Sequence, residues 1–192
     1  TCCYNSANHV STIYINGRRC GILEGVINLT DPKVVFIGGD IYVKGYQGLV
    51  SDLRIFDQPL SFEVVQRMYQ KIRIRMQEGT EEAEEHKPEV HSVRFPLNQT
   101  LMEENGTAEC IFHGKEAVYG EGPVKGTYAL RLAGGMIGEN VLELPDKFAD
   151  LESFTVSYWI KDENPREWVS SFYMKREYGF LSEVPYAPVS YT

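Results

Sequence analysis

Between Ile37 and Ser61 the chain reads IGGDIYVKGYQGLVSDLRIFDQPLS. A short apolar run stops at Gly38-Gly39-Asp40, a glycine-punctuated stretch follows, and Leu49 to Phe56 then alternates. A period of two puts successive side chains on opposite faces of a strand, so this segment is committed to a sheet with one face buried. The alternation predicts Leu49, Ser51, Leu53 and Ile55 on one face and Val50, Asp52, Arg54 and Phe56 on the other.

The same period recurs along the chain. Ser11 to Gly17 (STIYING) reads as a strand closing on the turn dipeptide Asn16-Gly17. Val34 to Ile37 is a short apolar strand. Val93, Phe95 and Leu97 alternate, Glu109 to His113 reads as another strand, and Tyr128, Leu130 and Leu132 form a third. Phe154, Val156, Tyr158 and Ile160 share one face of a fourth, with Trp159 on the other. Seventeen Gly and nine Pro punctuate these runs, which favours strands and turns over a helical bundle. The tail from Pro165 to Thr192 is aromatic and proline-bearing, and an extended stretch is expected from Pro185.

One segment departs from this period. Ser61 is a helix N-cap with Glu63 in the first turn, and Val64 or Val65, Met68, Tyr69 and Ile72 follow at helical spacing. The expectation is a short helix to about Gln70; Lys71 to Met76 (KIRIRM) returns to a period of two and leaves helix and strand open. Glu78 to Glu89 (EGTEEAEEHKPE) carries six Glu and almost nothing apolar, the composition of a solvated linker.

The formal net charge is -8, and Lys71 to Arg75, the only basic cluster, is followed by that acidic run. Phosphate contacts need clustered Lys and Arg, so a nucleic-acid partner is disfavoured. No apolar stretch approaches the length of a membrane span. The sequons Asn28-Leu29-Thr30, Asn98-Gln99-Thr100 and Asn105-Gly106-Thr107 make Asn28, Asn98 and Asn105 candidate N-glycosylation sites, which points to the secretory pathway and an extracellular or cell-surface location. In that setting Cys2, Cys3, Cys20 and Cys110 are disulfide candidates, with three connectivities open. Adjacent Cys2 and Cys3 point to opposite faces of a strand and would bond different partners.

The residues that catalysis needs are not arranged for it. The chain has no H-E-x-x-H, G-x-S-x-G or P-loop, and its four histidines lack metal-ligand spacing. Glu143 and the Asp162/Glu163 pair lack a carboxylate partner at the spacing a glycosidase uses. The expectation is a protein that is not an enzyme.

Several of these segments resemble the laminin-G-like (concanavalin A-like) family. Ile37 to Ser61 is similar to the run that ends such a domain, with the STIYING strand before it. His91 to Leu97 (HSVRFPL), Gly120 to Leu132 (GEGPVKGTYALRL), Val141 to Pro145 (VLELP) and Ser153 to Ile160 (SFTVSYWI) resemble the opening half of the same domain. The resemblance implies an all-β antiparallel jelly-roll sandwich with one short helix and an acidic linker. It implies residues 1–61 as the C-terminal part of one sandwich, 62–90 as helix and Glu-rich linker, and 91–192 as the N-terminal part of a second, or circularly permuted same, sandwich.

Three accounts of that order are open: an excerpt from a tandem array, a circular permutant, or half-domains completing one another between molecules. The resemblance further implies an extracellular structural or adhesive module of a repeat-containing surface or filament-forming glycoprotein. Its partners would be copies of itself, neighbouring sandwiches, or other extracellular proteins. The alternative is a carbohydrate-binding lectin-type module with glycan partners and calcium as cofactor. Loop residues Asp40, Asp162 and Asn164 are then the calcium candidates, with Asp146 and Asp150 behind them, and Tyr42, Tyr46 and Trp168 are candidates to stack on sugars.

Overall fold

The computed structural model describes residues 1–26, 32–39, 45–78, 92–134, 140–164 and 172–176. Twelve strands and one α-helix are set out along them: β1 (Cys2–Asn5), β2 (Val10–Ile15), β3 (Arg18–Glu24), β4 (Pro32–Ile37), β5 (Gln47–Phe56), α1 (Phe62–Glu78), β6 (Ser92–Phe95), β7 (Ile111–His113), β8 (Tyr119–Glu121), β9 (Tyr128–Ala133), β10 (Val141–Glu143), β11 (Phe154–Asp162) and β12 (Phe172–Arg176). A single 3-10 turn, Asp146–Phe148, follows β10. All strand pairs are antiparallel. The expected all-β class stands.

The strands form two sheets. The larger runs β3-β2-β1-β11-β5-β9-β8, with β6 also on β5; the smaller runs β12-β4-β10-β7. Both sheets mix strands from before and after the helix, with β11 between β1 and β5 and β4 between β12 and β10, so neither half of the sequence owns a sheet. One hydrophobic core draws Tyr4, Val50, Leu53, Ile55, Phe95, Leu130, Leu132, Phe154 and Val156 from the larger sheet and Val35, Ile37, Leu142 and Phe172 from the smaller. Aromatic edge-to-face and tilted pairs, Phe95 with Phe148 and Phe154 with Phe172, fill it.

The period-two reading of Leu49 to Phe56 holds at its C-terminal end and fails at its N-terminal end. Val50, not Leu49, joins Leu53 and Ile55 in the core. The reason is Asp52, whose φ of 52° lies in the left-handed region. Opposite it, Ser157 pairs with Arg54 and Trp159 with Ser51, so two residues of β5 face one of β11. This bulge resets which face each side chain takes. It also marks where β5 changes neighbours, from β9 over Gln47 to Val50 to β6 over Leu53 to Phe56.

The helix lies on the face of the larger sheet turned away from the core. Val65, with Val64 and Met68, packs on Cys3, Tyr14, Phe56 and Leu60. Tyr69 stacks on Trp159 at 5.9 Å, and Phe62 stacks on Tyr14. Ser61 directly precedes α1, and its carbonyl accepts the first intrahelical bond from the Val65 amide at 3.1 Å. The helix does not end at Gln70: it continues through KIRIRM to Glu78. Ile74 and Met76 are exposed there, so the period of two is an accident of composition on a solvent-facing turn. Most of the Glu-rich segment lies outside the described residues. No helix among the described residues is long and apolar enough to cross a membrane.

The cysteines are four free thiols, which corrects the disulfide expectation. Cys20 is on β3 while Cys2 and Cys3 are on β1, with β2 between them. Two strand spacings are about 9–10 Å, beyond the roughly 4.4–6.8 Å that a disulfide spans between Cα atoms. Cys3 is buried beneath the helix and Cys110 in the main core. Cys2 is not part of the cluster that holds Cys110. Burial pushes the Cys2 thiol up to about 11 and that of Cys110 to about 12.

Candidate functional sites

Two surface features stand out among the described residues: a groove beside the start of the helix and one edge of the larger sheet. The groove has a volume of about 280 Å³ and lies between the β1–β2 hairpin and the β5–α1 connection. Its floor is Cys3, Val10, Pro59 and Leu60, and its polar lining is Asn5, Asn8, Thr12, Tyr14 and Ser61. Register puts Cys3 opposite Thr12 and Asn5 opposite Val10, which is why these alternate residues share one face.

Thr155, fully buried on β11, fixes the groove's other wall. Its hydroxyl accepts the Leu60 amide and donates to the Gln58 carbonyl, both at 2.9 Å. Asn5 Oδ1 accepts the Ala7 amide at 3.0 Å, bracing the hairpin turn. Burial raises the thiol of Cys3 and the phenol of Tyr14, so both stay protonated near neutrality. No side chain lining the groove carries a formal charge, so it suits an uncharged, hydroxyl-bearing ligand better than an anion or cation.

That edge is β3, the other end of the sheet being β8. Asn16 (φ 51°) and Gly17 (φ 70°) make the two-residue β2–β3 turn, both in the left-handed region that a type I′ hairpin requires. Beyond it every residue of β3 is exposed except Gly21, which is half-buried. Ile22 is 52%, Leu23 40% and Val26 65% exposed, on both faces of the hairpin, so β3 overhangs the smaller sheet. Tyr14 pairs with Arg19 and Ile13 with Gly21, which leaves Cys20 as a bulge.

The residues singled out from sequence scatter. Asn98 is exposed, and its Oδ1 accepts the Tyr128 amide at 2.8 Å. Asn105 is exposed too, but its amide nitrogen donates to Glu103, and the Thr107 hydroxyl donates to the same carboxylate at 2.7 Å. Thr107 leads the contacts that hold the Glu103 carboxyl below its ordinary range. Asn28 and Asp40 lie outside the described residues, as do Tyr42 and Trp168. Asp162 Oδ1 accepts the Asn164 amide at 3.0 Å, and the Asn164 side chain donates to Gln47 at 2.8 Å. Among the described residues no three acidic, histidine or cysteine side chains converge on a possible metal position. Tyr46, expected on the surface, is 2% exposed in the core.

Sequence reasoning missed two arrangements. His113 Nε2 is hydrogen-bonded to Glu143 Oε2 across β7 and β10, with the His113 ring edge-on to Phe36. Thirty positions separate them in sequence, and only the pairing of the two strands joins them. The groove was invisible for the same reason: its lining comes from 3–14 and 59–61.

Comparison with protein-family models, with curated proteins and with solved structures finds no match.

Proposed function

We propose that this chain is an extracellular, glycosylated structural or adhesive module with a jelly-roll sandwich of laminin-G-like type, acting by association with other proteins and not by catalysis. The observation that carries this reading is the overhanging β3 edge. A seven-residue strand exposed on both faces, with Ile22 and Leu23 uncovered and Val26 just beyond its end, is a template for protein contact. Two exposed sequons on the turns at Asn98 and Asn105 support a secretory origin. The mixing of early and late strands in both sheets supports one permuted sandwich over two unrelated half-domains. Beads coated with the protein are expected to adhere to cells with intact surface proteins and to lose adhesion after protease stripping. Adhesion unchanged by stripping overturns the reading.

A second reading, a carbohydrate-binding module, is favoured by the neutral groove at Asn5, Asn8, Thr12 and Tyr14. On a glycan array it expects retention that Asn8→Ala and Thr12→Val abolish. Calcium dependence, checked with a chelator, would implicate the Asp162–Asn164 turn. No retention on the array sinks this reading.

A further inference from the structure

We infer that β3 pairs antiparallel with β3 of a second copy of this chain, about a two-fold axis at Ile22; the inference rests on the protein-association reading above. The strand is charged asymmetrically along its length. Arg18 and Arg19 occupy one end and Glu24 the other. A parallel approach would set arginine beside arginine. An antiparallel approach brings the arginine end of each copy beside Glu24 of the other, twice over.

The faces match as well. Directly paired residues share a face. Ile22 and Glu24 pair with Thr12 and Val10, and Arg19 with Tyr14, so these three lie on the helix-bearing side. Gly21 and Leu23 pair with Ile13 and Ser11 and lie on the core side. A two-fold axis through Ile22 keeps each set on its own side. Ile22 meets Ile22 of the second copy. Arg19 reaches Glu24 of the second copy along the same face. Leu23 lies over Gly21 of the second copy, where a Cβ would find nothing within 4 Å. The space is open, and a neighbouring leucine fills it.

The bulge at Cys20 and the two arginines are devices that blunt an edge. They end regular pairing before Cys20 and, with the axis at Ile22, confine the ladder to Gly21–Leu23, roughly 10 Å of strand. That strip is far smaller than the ~1,200 Å² of a stable interface. The pairing is therefore weak between free molecules and effective where many copies are held together, as in an array or on a surface.

Sedimentation equilibrium of the whole chain tests this, with reductant present so that Cys20 does not cross-link. Between about 10 µM and about 1 mM, the mass is expected to rise from 21.9 kDa towards twice that value. Ile22→Lys is expected to abolish the rise. Arg19→Glu and Glu24→Arg are each expected to weaken association several-fold, and the double reversal to restore it. These positions are exposed, so the variants keep the fold, which circular dichroism verifies. A monomer across the whole range, a dimer that survives Ile22→Lys, or a double reversal that fails to restore pairing overturns the inference. A monomer whose coated beads still adhere to cells overturns self-pairing alone. A dimer whose beads do not adhere overturns the adhesive reading alone.

Discussion

The backbone amide of Leu60 donates to the hydroxyl of Thr155 at 2.9 Å, and that hydroxyl in turn donates to the Gln58 carbonyl at the same distance. One buried side chain thus satisfies both a donor and an acceptor of the connection between β5 and α1. It ties the helix entry to the sheet 95 positions later in the chain.

Thr155→Val keeps the shape of the side chain and removes both bonds. The Leu60 amide is left buried without its partner, at an expected cost of about 1–3 kcal/mol. Urea unfolding should show a lower midpoint at an unchanged slope. An unchanged midpoint would mean that the connection is held by packing alone.

Asp52 contributes to acid stability. Burial opposes its ionisation, but Arg54 at 3.1 Å and Arg94 at 2.6 Å outweigh that and hold the carboxyl below its ordinary range. A depressed folded pKa gives stability that is fully present above the unfolded value near 3.9 and is lost as pH falls through the folded value. The wild type should therefore lose stability below about pH 4. Asp52→Asn should be less stable at neutral pH and should lose this group's share of the acid dependence. Parallel acid slopes for the two proteins, measured by urea unfolding, would count against the assignment.

The thiols should differ widely in reactivity. Cys20 is exposed, whereas Cys3 and Cys110 are buried, and burial also pushes up the thiols of Cys2, Cys3 and Cys110. With iodoacetamide near pH 8, mass spectrometry should find Cys20 modified first and the other three only in denaturant. Rapid loss of all four thiols from the folded protein would contradict this packing.

Gly38 is a position where only glycine fits. Its φ of 92° is in the left-handed half, and a Cβ there would stand 2.3 Å from Leu132 Cδ1 in the core. Gly38→Ala should destabilise by about 2–4 kcal/mol through backbone strain and overpacking together. Thermal melting and urea unfolding should agree on the loss.

Sequence was a good guide wherever a single strand or turn decided the outcome. Asn16-Gly17 turns as its dipeptide demands, and Val64, Val65, Met68, Tyr69 and Ile72 line the inward side of α1. Trp159 faces away from Phe154 and Val156, as alternation requires, and meets Tyr69. Failure began where a backbone irregularity intervened. The positive φ of Asp52 shifted the face of Leu49 and Val50, and no composition rule announces a bulge at an aspartate between serine and leucine. The free thiols were missed because compartment suggests pairing while only register gives distance. The groove and the His113–Glu143 pair depend on which strands become neighbours, and alternation within one strand carries no information about that.

The register of β1 against β11 also sets a schedule. Cys2 pairs with Val156, about 150 residues later in the chain. A ribosome adding about 5–20 residues per second delivers the second partner roughly 8 to 30 seconds after the first. Until then the nascent chain holds Tyr4, Val50 and Ile55 on strands that lack β11, which lies between β1 and β5, and the sheet cannot be assembled in the order in which it is made. The larger sheet is therefore expected to close only once β11 has left the ribosome, late in synthesis.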